Sequence, residues 1–552
     1  MTAAGRADRS SARRETPRRE RAETAAMPVS ATLALAAFAA LLVFAPAASN
    51  FFWAVNGLHS LPAPEMAGVL LLAAVAALPA LLRLRGNALW WTLAALLALA
   101  VAFPLRERIH LLGDTQYRLR ALHAVSLGMT DSIRLLANPL DLALDVWGAL
   151  MVHALQIPLL FSISLLGLAL GLAYLAAAWR VAGRLHAPPE LRIALALAIA
   201  LTGTLEGFAG YAEVSGLVAA AAMWWWAELL APLKGRAQAG RLTLAFLVLL
   251  LGHRIAVVAI VPQLWRSLGP PAEGDQPQAR RLLTGLTCGA IALAVVAVLA
   301  AGLAPQLARD VSDLVGSLFG KPLRPSDSVN GLLLVAPFAL LAPFLAGGRR
   351  LKEWMRSPLF GWMAVAALPL LVALAWVFPI GETGLGAHRD WDANVLLGVT
   401  LSVGAASLLV RLPAERLRTA LVLVLPLLAL QTFGWLVVNA DTDAATQRAV
   451  ALGRDAPLLP PAQLAHVHDY FGQRAMDERD PVRAARHYEQ AYQIGGNPRR
   501  LLLEAEAWMV SGDSTAAAQA LSRARSRGPL NAELETSARE LEQMLRQGGA
   551  PR

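Results

Sequence analysis

The chain is almost free of cysteine and poor in charge. Cys288 is the single cysteine among 552 residues, so an intramolecular disulfide and a thiolate metal cluster are both excluded. Only 16% of the residues are charged, whereas 56% are hydrophobic and the mean hydropathy is +0.50. These proportions exclude a soluble globular protein and predict a polytopic membrane protein.

Lysine is nearly absent as well, since Lys234, Lys321 and Lys352 are the only three. The net charge of +10 therefore comes from arginine, and much of that arginine lies in short loops between apolar runs. Basic residues in such loops orient membrane spans, so we predict no nucleic-acid surface. Residues 1–27 hold seven arginines and four acids without apolar periodicity, which predicts a disordered cytoplasmic arm.

Twelve apolar runs are long enough, or nearly so, to cross a hydrocarbon core of about 30 Å. They are 29–48, 66–83, 88–104, 146–180, 191–206, 214–231, 242–264, 282–304, 330–346, 358–378, 394–411 and 418–438. The first run ends in Ala45-Pro46-Ala47, which resembles a signal-peptidase site, but the long arm before it favours an uncleaved first span.

The orientation of the spans depends on the run 242–264. If this run crosses once, the basic loops near 349–356 and 411–418 fall outside; if it is broken at Gly252-His253-Arg254, they become cytoplasmic. Loop arginines set orientation strongly, so we prefer the broken form, which is tolerated where the break lines a polar cavity.

Four charged groups then lie on the same, non-cytoplasmic side. They are Gly113-Asp114, Glu206 to Glu213, His253-Arg254 and His388-Arg389-Asp390-Trp391-Asp392. Ionisable residues at membrane depth are costly and usually line a site or pathway, so four groups on one face predict one active site. Loop 105–145 is also outside and breaks the charge rule, because it holds five arginines: Arg106, Arg108, Arg118, Arg120 and Arg134. Binding of an anionic group would explain this exception.

Asp114 can be interpreted in two ways. It could cap the helix that begins at Thr115, because aspartate is a favoured capping residue. It could instead be a general base near the interface, with Arg118 and Arg120 about one helical turn further on. A carboxylate beside guanidinium groups stays ionised, as a base must.

The other groups also have a structural and a functional interpretation. Glu206 and Glu213 could be solvated loop acids and Tyr211 an interfacial aromatic, or together they could bind an acceptor hydroxyl or a cation. His253 and Arg254 could reach an interface or pair with a neighbouring acid, or they could clamp a phosphate at the mouth of a cavity.

The loop 388–392 precedes an apolar run, where Asp390 or Asp392 could cap a helix. A cap needs one acid, however, and this loop also holds His388 and Arg389. Metal binding is a weaker prediction. Asp114, Glu213, Asp390 and Asp392 could bind a hard divalent ion, but nothing in the sequence demands one, and the cofactor is otherwise unknown.

The tail from 439 onward has a different character. A polar, proline-containing linker, 441–462, precedes a helical, soluble segment, 463–547. Ala484, Tyr488 and Ala491 recur 33 residues later as Ala517, Leu521 and Ala524. This spacing resembles a degenerate tetratricopeptide repeat, whose period is about 34 residues. So few repeats rarely stand alone, so we expect this segment to pack on the membrane body or on a protein partner.

These motifs together resemble a known family. Many spans, an acid in the first substantial outer loop, the Gly-Tyr-x-Glu turn at 210–213 and the Arg-Asp-Trp-Asp loop at 389–392 are similar to bacterial membrane glycosyltransferases of the GT-C superfamily. Relatives in that superfamily include protein O-mannosyltransferases and lipid A aminoarabinose transferases, and some bacterial members carry tetratricopeptide tails. The resemblance covers about residues 88–440 in topology. In many relatives the acidic motif comes earlier and is followed by a second acid, whereas here Thr115 follows Asp114.

The resemblance implies transfer of a sugar from a polyprenyl-phosphate carrier to an acceptor outside the bacterial inner membrane. Asp114 would be the general base, and the donor phosphate would be bound by Arg118, His253, Arg254 and Arg389. The acceptor or sugar would be bound by Glu206, Tyr211, Glu213, His388, Asp390 and Asp392. Lipid-linked donor, membrane lipid and a protein partner of 463–547 are the expected partners, with the amino terminus inside and the tail outside.

The predicted fold is all-α: a polytopic transmembrane helical bundle of about 12–13 spans with a small helical-repeat tail. Its predicted parts are the arm 1–27, the transmembrane domain 28–440, the linker 441–462 and the repeat domain 463–547. Two other functions stay open. A non-catalytic scaffold would recruit an envelope partner through its tail, and a transporter would use the broken run 242–264, although a transporter is expected to have a midplane site.

Overall fold

The protein is seen in a computed structural model that is helical throughout the part it describes. The described residues are 27–44, 52, 54–110, 118–119, 122, 140, 147–148, 150–151, 154–300, 302, 305, 325–376, 391–454, 461–526 and 530–547. They form 22 α-helices and several 3₁₀ turns, and no strand occurs among them. They divide into a larger unit that ends at Asp441 and a smaller unit that begins at Thr442.

The larger unit contains helices α1–α16. They are α1 (Val29–Phe44), α2 (Ala63–Ala76), α3 (Leu78–Leu81), α4 (Asn87–Ala102), α5 (Leu159–Arg184), α6 (Arg192–Ala200), α7 (Ser215–Leu229), α8 (Arg236–Gly252), α9 (Ile260–Leu268), α10 (Pro277–Ala300), α11 (Pro325–Val335), α12 (Pro337–Ala346), α13 (Gly348–Met355), α14 (Pro358–Trp376), α15 (Val395–Leu409) and α16 (Ala414–Ala440). Helices α6, α7 and α15 are buried on nearly every face and form the core. Apolar side chains cover them on all sides, as expected for central helices of an apolar bundle.

Four of the described helical segments are long and apolar enough to cross a membrane. They are Ala63–Leu81, Leu159–Arg184, Pro277–Ala300 and Ala414–Ala440. A fifth candidate is the pair Ser328–Val335 and Pro337–Ala346, which bends by 82° at Ala336. Several shorter apolar helices coincide with the other apolar runs of the sequence.

The bend at Ala336 lies directly before Pro337, which disfavours a helical conformation of the preceding residue and has no N–H to donate to the carbonyl of Leu333. Leu334 and Val335 press against two glycines of neighbouring segments, Gly203 and Gly398, where a β-carbon would clash with them. The side-chain amide of Gln431 donates to the carbonyl of Leu333, which satisfies a carbonyl that the broken helix leaves open. A run that the sequence suggests as one span, 330–346, is therefore two short helices.

The break predicted at Gly252-His253-Arg254 is present in the helical path. Helix α8 ends at Gly252, His253 is extended, and a 3₁₀ turn, Arg254–Ala259, leads into α9. The chain then returns to the place from which α8 started. The guanidinium of Arg266 donates to the carbonyls of Leu229 and Ala231, 3.3 and 3.0 Å away, at the end of α7.

A buried ion pair holds α9 in this position. The Arg266 Nη1 and Nη2 atoms lie 2.5 and 2.7 Å from the two carboxylate oxygens of Asp275, and both side chains are almost fully shielded from solvent. Asp275 also accepts from the backbone N–H groups of Leu233 and Ala272. Burial alone would raise the pKa of Asp275, but these bonds outweigh burial and lower it.

The smaller unit contains α17 (Thr442–Arg454), α18 (Pro461–Asp477), α19 (Pro481–Gly495), α20 (Arg499–Ser511), α21 (Ser514–Ser526) and α22 (Ala532–Arg546). Successive helices pack against each other from α17 to α22. The helix α17 occupies most of the segment that the sequence suggests as a linker, and Ala444 and Ala445 are buried in it. The tetratricopeptide assignment stays a prediction.

Candidate functional site

One end of the larger unit combines several connecting segments with the last turns of α16, and we call it the polar end. It comprises residues 106–109, 202–215, 252–254, 391–394 and 431–440. The backbone N–H of Glu107 donates to the carbonyl of Ala209 at 2.7 Å, and the N–H of Arg108 donates to that of Asn439 at 3.1 Å. The segment after α4 is thereby bound both to the turn before α7 and to the last turn of α16.

The turn between α6 and α7 needs glycine at closely packed positions. Thr202 accepts from the N–H of Thr204 and starts the 3₁₀ helix Gly203–Phe208. Gly210 has a φ of +70°, and a β-carbon there would lie 3.2 Å from the β-carbon of Arg106. These residues let the turn lie deep in the bundle, where Phe208 packs on Tyr174 of α5 with ring centres 5.2 Å apart.

Three aromatic rings form a continuous row at the polar end. The rings of Tyr211 and Trp391 have centres 5.8 Å apart, and those of Trp391 and Trp435 are 6.3 Å apart in an edge-to-face arrangement. All three side chains are buried. This row joins the turn 203–214, the 3₁₀ helix Trp391–Asn394 and helix α16, and so fixes the backbone that carries Asp392.

Three carboxylates are buried at the same end. Glu206 is 0% exposed, Glu107 is 1% exposed and Glu213 is 9% exposed, and each is engaged by other groups of the protein. Buried charges persist in proteins when they are paired and hydrogen-bonded. The acids therefore differ in solvent exposure: Glu206 is fully shielded, whereas Glu213 lies at the edge of the core.

The broken helix brings His253 to this end. A β-carbon at Gly252 would lie 3.2 Å from Val218 and 4.0 Å from Val214, which follows Glu213 directly. His253 Nδ1 accepts from the N–H of Ile255 at 3.2 Å, so its ring caps the 3₁₀ turn. The carbonyl of Leu251 accepts from the N–H of Leu140 at 3.2 Å, so residue 140 of loop 105–145 lies at the break.

Arg118 lies in the same neighbourhood. Leu119 and Leu122 pack with Ile163 of α5 and with Ala212 of the turn. The short segment around Arg118 is thereby held beside Glu213, and the Arg118 side chain is half-buried. The backbone that carries Arg118 is therefore close to the turn 206–213.

The structure thus places several of the predicted site residues at one end: Arg118, Glu206, Tyr211, Glu213, His253 and Asp392. Asp114, His388, Arg389 and Asp390 lie outside the described residues, as does the side chain of Arg254. Within the described part of the chain, no three His, Cys, Asp or Glu side chains form a group that could hold a metal ion.

Two features of the polar end were missed by sequence reasoning. Glu107 lies in the arginine-rich loop 105–145, and its side chain is buried. An acid between two arginines, Arg106 and Arg108, was an available signal. Trp435 gave no signal, because it lies inside the apolar run 418–438.

Buried acids, aromatic rings and half-buried basic groups at one end of an apolar bundle suit several kinds of membrane protein. An enzyme, a carrier and a scaffold could each contain them. The function has to be inferred from the residues themselves, because no protein-family model, curated protein or solved structure matches this chain.

Proposed function

We propose that the protein is an integral membrane glycosyltransferase that moves a sugar from a polyprenyl-phosphate donor to an acceptor. In this proposal about 12–13 segments span a bacterial inner membrane, with the amino terminus inside and the polar end and the tail outside. The observation that supports it most is the joining of residues far apart in sequence at the polar end. The turn 206–213, the Arg118 segment, His253 and the Trp391–Asp392 turn are held there by direct contacts.

The proposed reaction needs a base and a positive environment for a phosphate leaving group. Asp114 takes the proton from the acceptor hydroxyl, whose oxygen then forms a bond to the anomeric carbon of the sugar. The bond from that carbon to the phosphate oxygen breaks, and the phosphate keeps the electron pair. Positively charged groups placed where this charge develops lower the barrier.

Arg118 and His253 are the described candidates for phosphate binding. Both are half-buried, so each can be held by the protein and still be reached by a ligand. The His253 Nδ1 atom is committed to the backbone, which fixes the ring and leaves Nε2 as its second polar atom. Arg254 and Arg389 complete the proposed set.

Burial changes the roles of two predicted residues. Glu206 and Tyr211 are 0% and 4% exposed, so a sugar does not reach them in this conformation. We assign them to positioning the turn, and we leave binding of the sugar or acceptor to Glu213 and Asp392, together with His388 and Asp390. A carboxylate that accepts from sugar hydroxyls needs at least one accessible oxygen.

The test is sugar transfer from radiolabelled polyprenyl-phosphate donors by the purified full-length protein. Wild type is compared with Asp114→Asn and with Glu353→Gln, whose exposed carboxylate pairs with Arg349 and Arg350 on α13. Transfer by wild type and Glu353→Gln, but not by Asp114→Asn, is expected. Equal transfer by all three would remove Asp114 as the base. Absence of transfer and of donor hydrolysis with every donor and acceptor extract would overturn the enzyme proposal.

A transporter is the second candidate, because two helical segments are broken. Helix α8 ends at Gly252 before a 3₁₀ turn, and α11 and α12 meet at 82°. Broken helices bind substrates in many carriers. Uptake of a labelled lipid-linked sugar into sealed vesicles without chemical change would favour this candidate over transfer.

A scaffold is the remaining alternative. Its basis is the smaller unit, whose helices pack together as a compact body. A scaffold tolerates the triple change Asp114→Asn, Arg254→Gln and Asp390→Asn in a growth assay and fails on deletion of residues 463–547. An enzyme gives the opposite response to the triple change.

A further inference from the structure

Two histidines of the smaller unit face each other across neighbouring helices. His468 lies on α18 and is 3% exposed, and His487 lies on α19 and is half-buried. Their Nδ1 atoms are 3.2 Å apart and their ring centres 5.5 Å apart. The second distance exceeds the first by about two imidazole radii, so both nitrogens lie near the line that joins the rings. One Nδ1–H therefore donates directly to the other Nδ1.

The proton count decides whether this bond exists. With both rings neutral, one tautomer donates and the other accepts. With one extra proton on the pair, an imidazolium still donates to a neutral ring. When both rings are protonated, two N–H groups face each other, so the bond is lost and two like charges meet. The pair titrates as a unit, and its second proton is the disruptive one.

The surroundings disfavour charge on the pair. Burial is the largest cause that lowers the pKa of His468, and the charge of Asp469 opposes it. Burial, together with the smaller effects of the charges of His468 and Arg483, lowers the pKa of His487 to about 4. The Phe471 ring stacks beside His487, with ring centres 5.5 Å apart.

The nearby charged groups are held in bonds of their own. Asp469 on α18 is bound by Arg500 of α20, with Nη2–Oδ2 at 2.8 Å. Arg483 on α19 is bound by Glu478, and the buried Arg448 of α17 is engaged by other groups. His466 on α18 lies 3.6 Å from Asp469 and is 70% exposed. The carboxylate nearest to the pair is thereby partly neutralised by Arg500.

The rest of the α18–α19 interface is tightly packed and apolar. A β-carbon at Gly472 would lie 2.5 Å from the Tyr488 ring, and Ala475, Ala484 and Ala485 fill the contact. The histidine bond is a polar contact within this apolar packing. When both rings are protonated, the bond is lost and the two rings repel each other. Both effects weaken the packing of α18 against α19.

We propose that His468 and His487 form an acid-sensitive latch between α18 and α19. The latch is closed while the pair holds at most one proton and opens when both rings are protonated. The sign follows from linkage: because the folded pKa values lie below the ordinary 6.5, the unfolded helices bind more protons. The stability of the helix pair is therefore full above that value and falls as the pH drops towards about 4.

The test is amide hydrogen exchange of the full-length protein in a membrane mimic, followed by mass spectrometry. Rates in α18 and α19 are compared between about pH 7 and about pH 5, after correction for intrinsic exchange, with α21 and α22 as the internal reference. We expect protection of α18 and α19 to fall about tenfold or more, the factor that one pKa unit of linkage gives. Unchanged protection in wild type would overturn the latch.

Variants separate the pair from general acid sensitivity. His487→Gln keeps a hydrogen-bonding side chain without titration, and His466→Gln removes an exposed histidine of the same helix as the matched control. The acid response should be smaller in His487→Gln, where only His468 still titrates, and should persist in full in His466→Gln. If His487→Gln disturbs the tail at neutral pH, the double change His468→Leu and His487→Leu removes both titrating groups and keeps the packing apolar. An undiminished acid response in His487→Gln, or in the double variant a response of α18 and α19 as large as that of wild type, would overturn the proposal.

Metal binding is the competing interpretation of two facing imidazoles. The nearly collinear nitrogens, 3.2 Å apart, do not leave a ligand position between them unless the rings turn. We therefore expect Zn²⁺ at neutral pH to leave exchange of α18 and α19 unchanged. Protection by Zn²⁺ that His487→Gln abolishes would assign the pair to a metal site and overturn the latch.

Discussion

The two ends of the larger unit differ in how their buried polar and charged groups are paired. The end opposite the polar end, which we call the basic end, comprises residues 80–85, 180–192, 228–241, 266–280, 347–356 and 411–418. There Arg180 and Arg241 bind the two oxygens of buried Glu228 at 2.5 and 3.3 Å. Arg266 and Asp275 form a second closed pair. Charges at the basic end are completed by neighbouring protein groups, so they fix helices α5, α7, α8 and α9.

At the polar end many polar atoms are buried without such completion. Atoms of this end without a hydrogen-bond partner among the described residues include Thr204 Oγ1, Ser215 Oγ, Trp391 Nε1, Gln431 Oε1, Thr432 Oγ1 and Asn439 Nδ2. Buried polar atoms without a hydrogen-bond partner also occur at the basic end. In Arg180 and Arg280, however, another nitrogen of the same guanidinium is hydrogen-bonded. An unsatisfied buried group costs about 1–3 kcal/mol, so the polar end is costly to fold. Local cost of this kind is expected at a functional site.

The largest functional effect is expected when the proposed base is neutralised and compared with an acid of the basic end. Asp114→Asn should lower sugar transfer by about 10²–10⁴-fold, the contribution of a positioned base, without shifting the thermal unfolding midpoint. Glu353→Gln at the basic end should leave both quantities unchanged, since its carboxylate is exposed. Equal losses of transfer in the two variants would remove Asp114 as the base.

The buried pair at the basic end should give the largest loss of stability. Asp275→Ala leaves the Arg266 guanidinium buried, with only carbonyl oxygens to accept from it. Removal of one partner of a buried pair costs about 3–5 kcal/mol. Thermal unfolding of the purified protein should therefore shift strongly for Asp275→Ala. A midpoint within error of wild type would show that the pair does not hold α9 against α7.

The sequence predicts some of this arrangement because charge and helix breaking are local signals. Arginine in short loops marks the basic end, and Gly252-His253-Arg254 inside an apolar run marks the broken helix. The helical nature of the described chain also follows from the length of its apolar runs. Each of these signals is contained in a window of about one span.

The rest depends on contacts between distant residues. Pro337 is a local sign of the break at Ala336, whereas the contacts of Leu334 and Val335 with glycines of other segments depend on the tertiary fold. Trp435 contacts Trp391, which lies 44 residues earlier in the sequence. Glu107 is buried because its backbone binds Ala209. Tertiary contacts of this kind override local patterns, so sequence periodicity could not place these residues.

Close packing around the turn 203–208 gives a test of intermediate size. A β-carbon at Gly167 of α5 would clash with the carbonyl oxygen of Phe208, so Gly167→Ala should displace the turn. Overpacking of this kind costs about 1–3 kcal/mol and should also lower transfer, because the turn carries Glu206 and Glu213.

A matched control is Gly240→Ala on α8, where nothing lies within 4 Å of the new β-carbon. Helix propensity alone should then stabilise the protein by up to about 1 kcal/mol. Unfolding midpoints and transfer rates of the two variants are compared directly. If both variants behave alike, the turn is not held by close contact with α5, and the polar end is looser than its packing indicates.

The smallest effect is expected for the exposed ion pair of the basic end, Arg83 with Glu415. Their closest atoms are 2.6 Å apart, but the side chains are 47% and 63% exposed. A double-mutant cycle with Arg83→Ala and Glu415→Ala should give a coupling energy of at most about 1 kcal/mol, which declines as salt is added. A coupling as large as that expected for Arg266 and Asp275 would mean that burial does not control the strength of ion pairs at this end. A small coupling energy would mean that the buried ion pairs stabilise this end. The exposed arginines would then serve to orient the chain in the membrane.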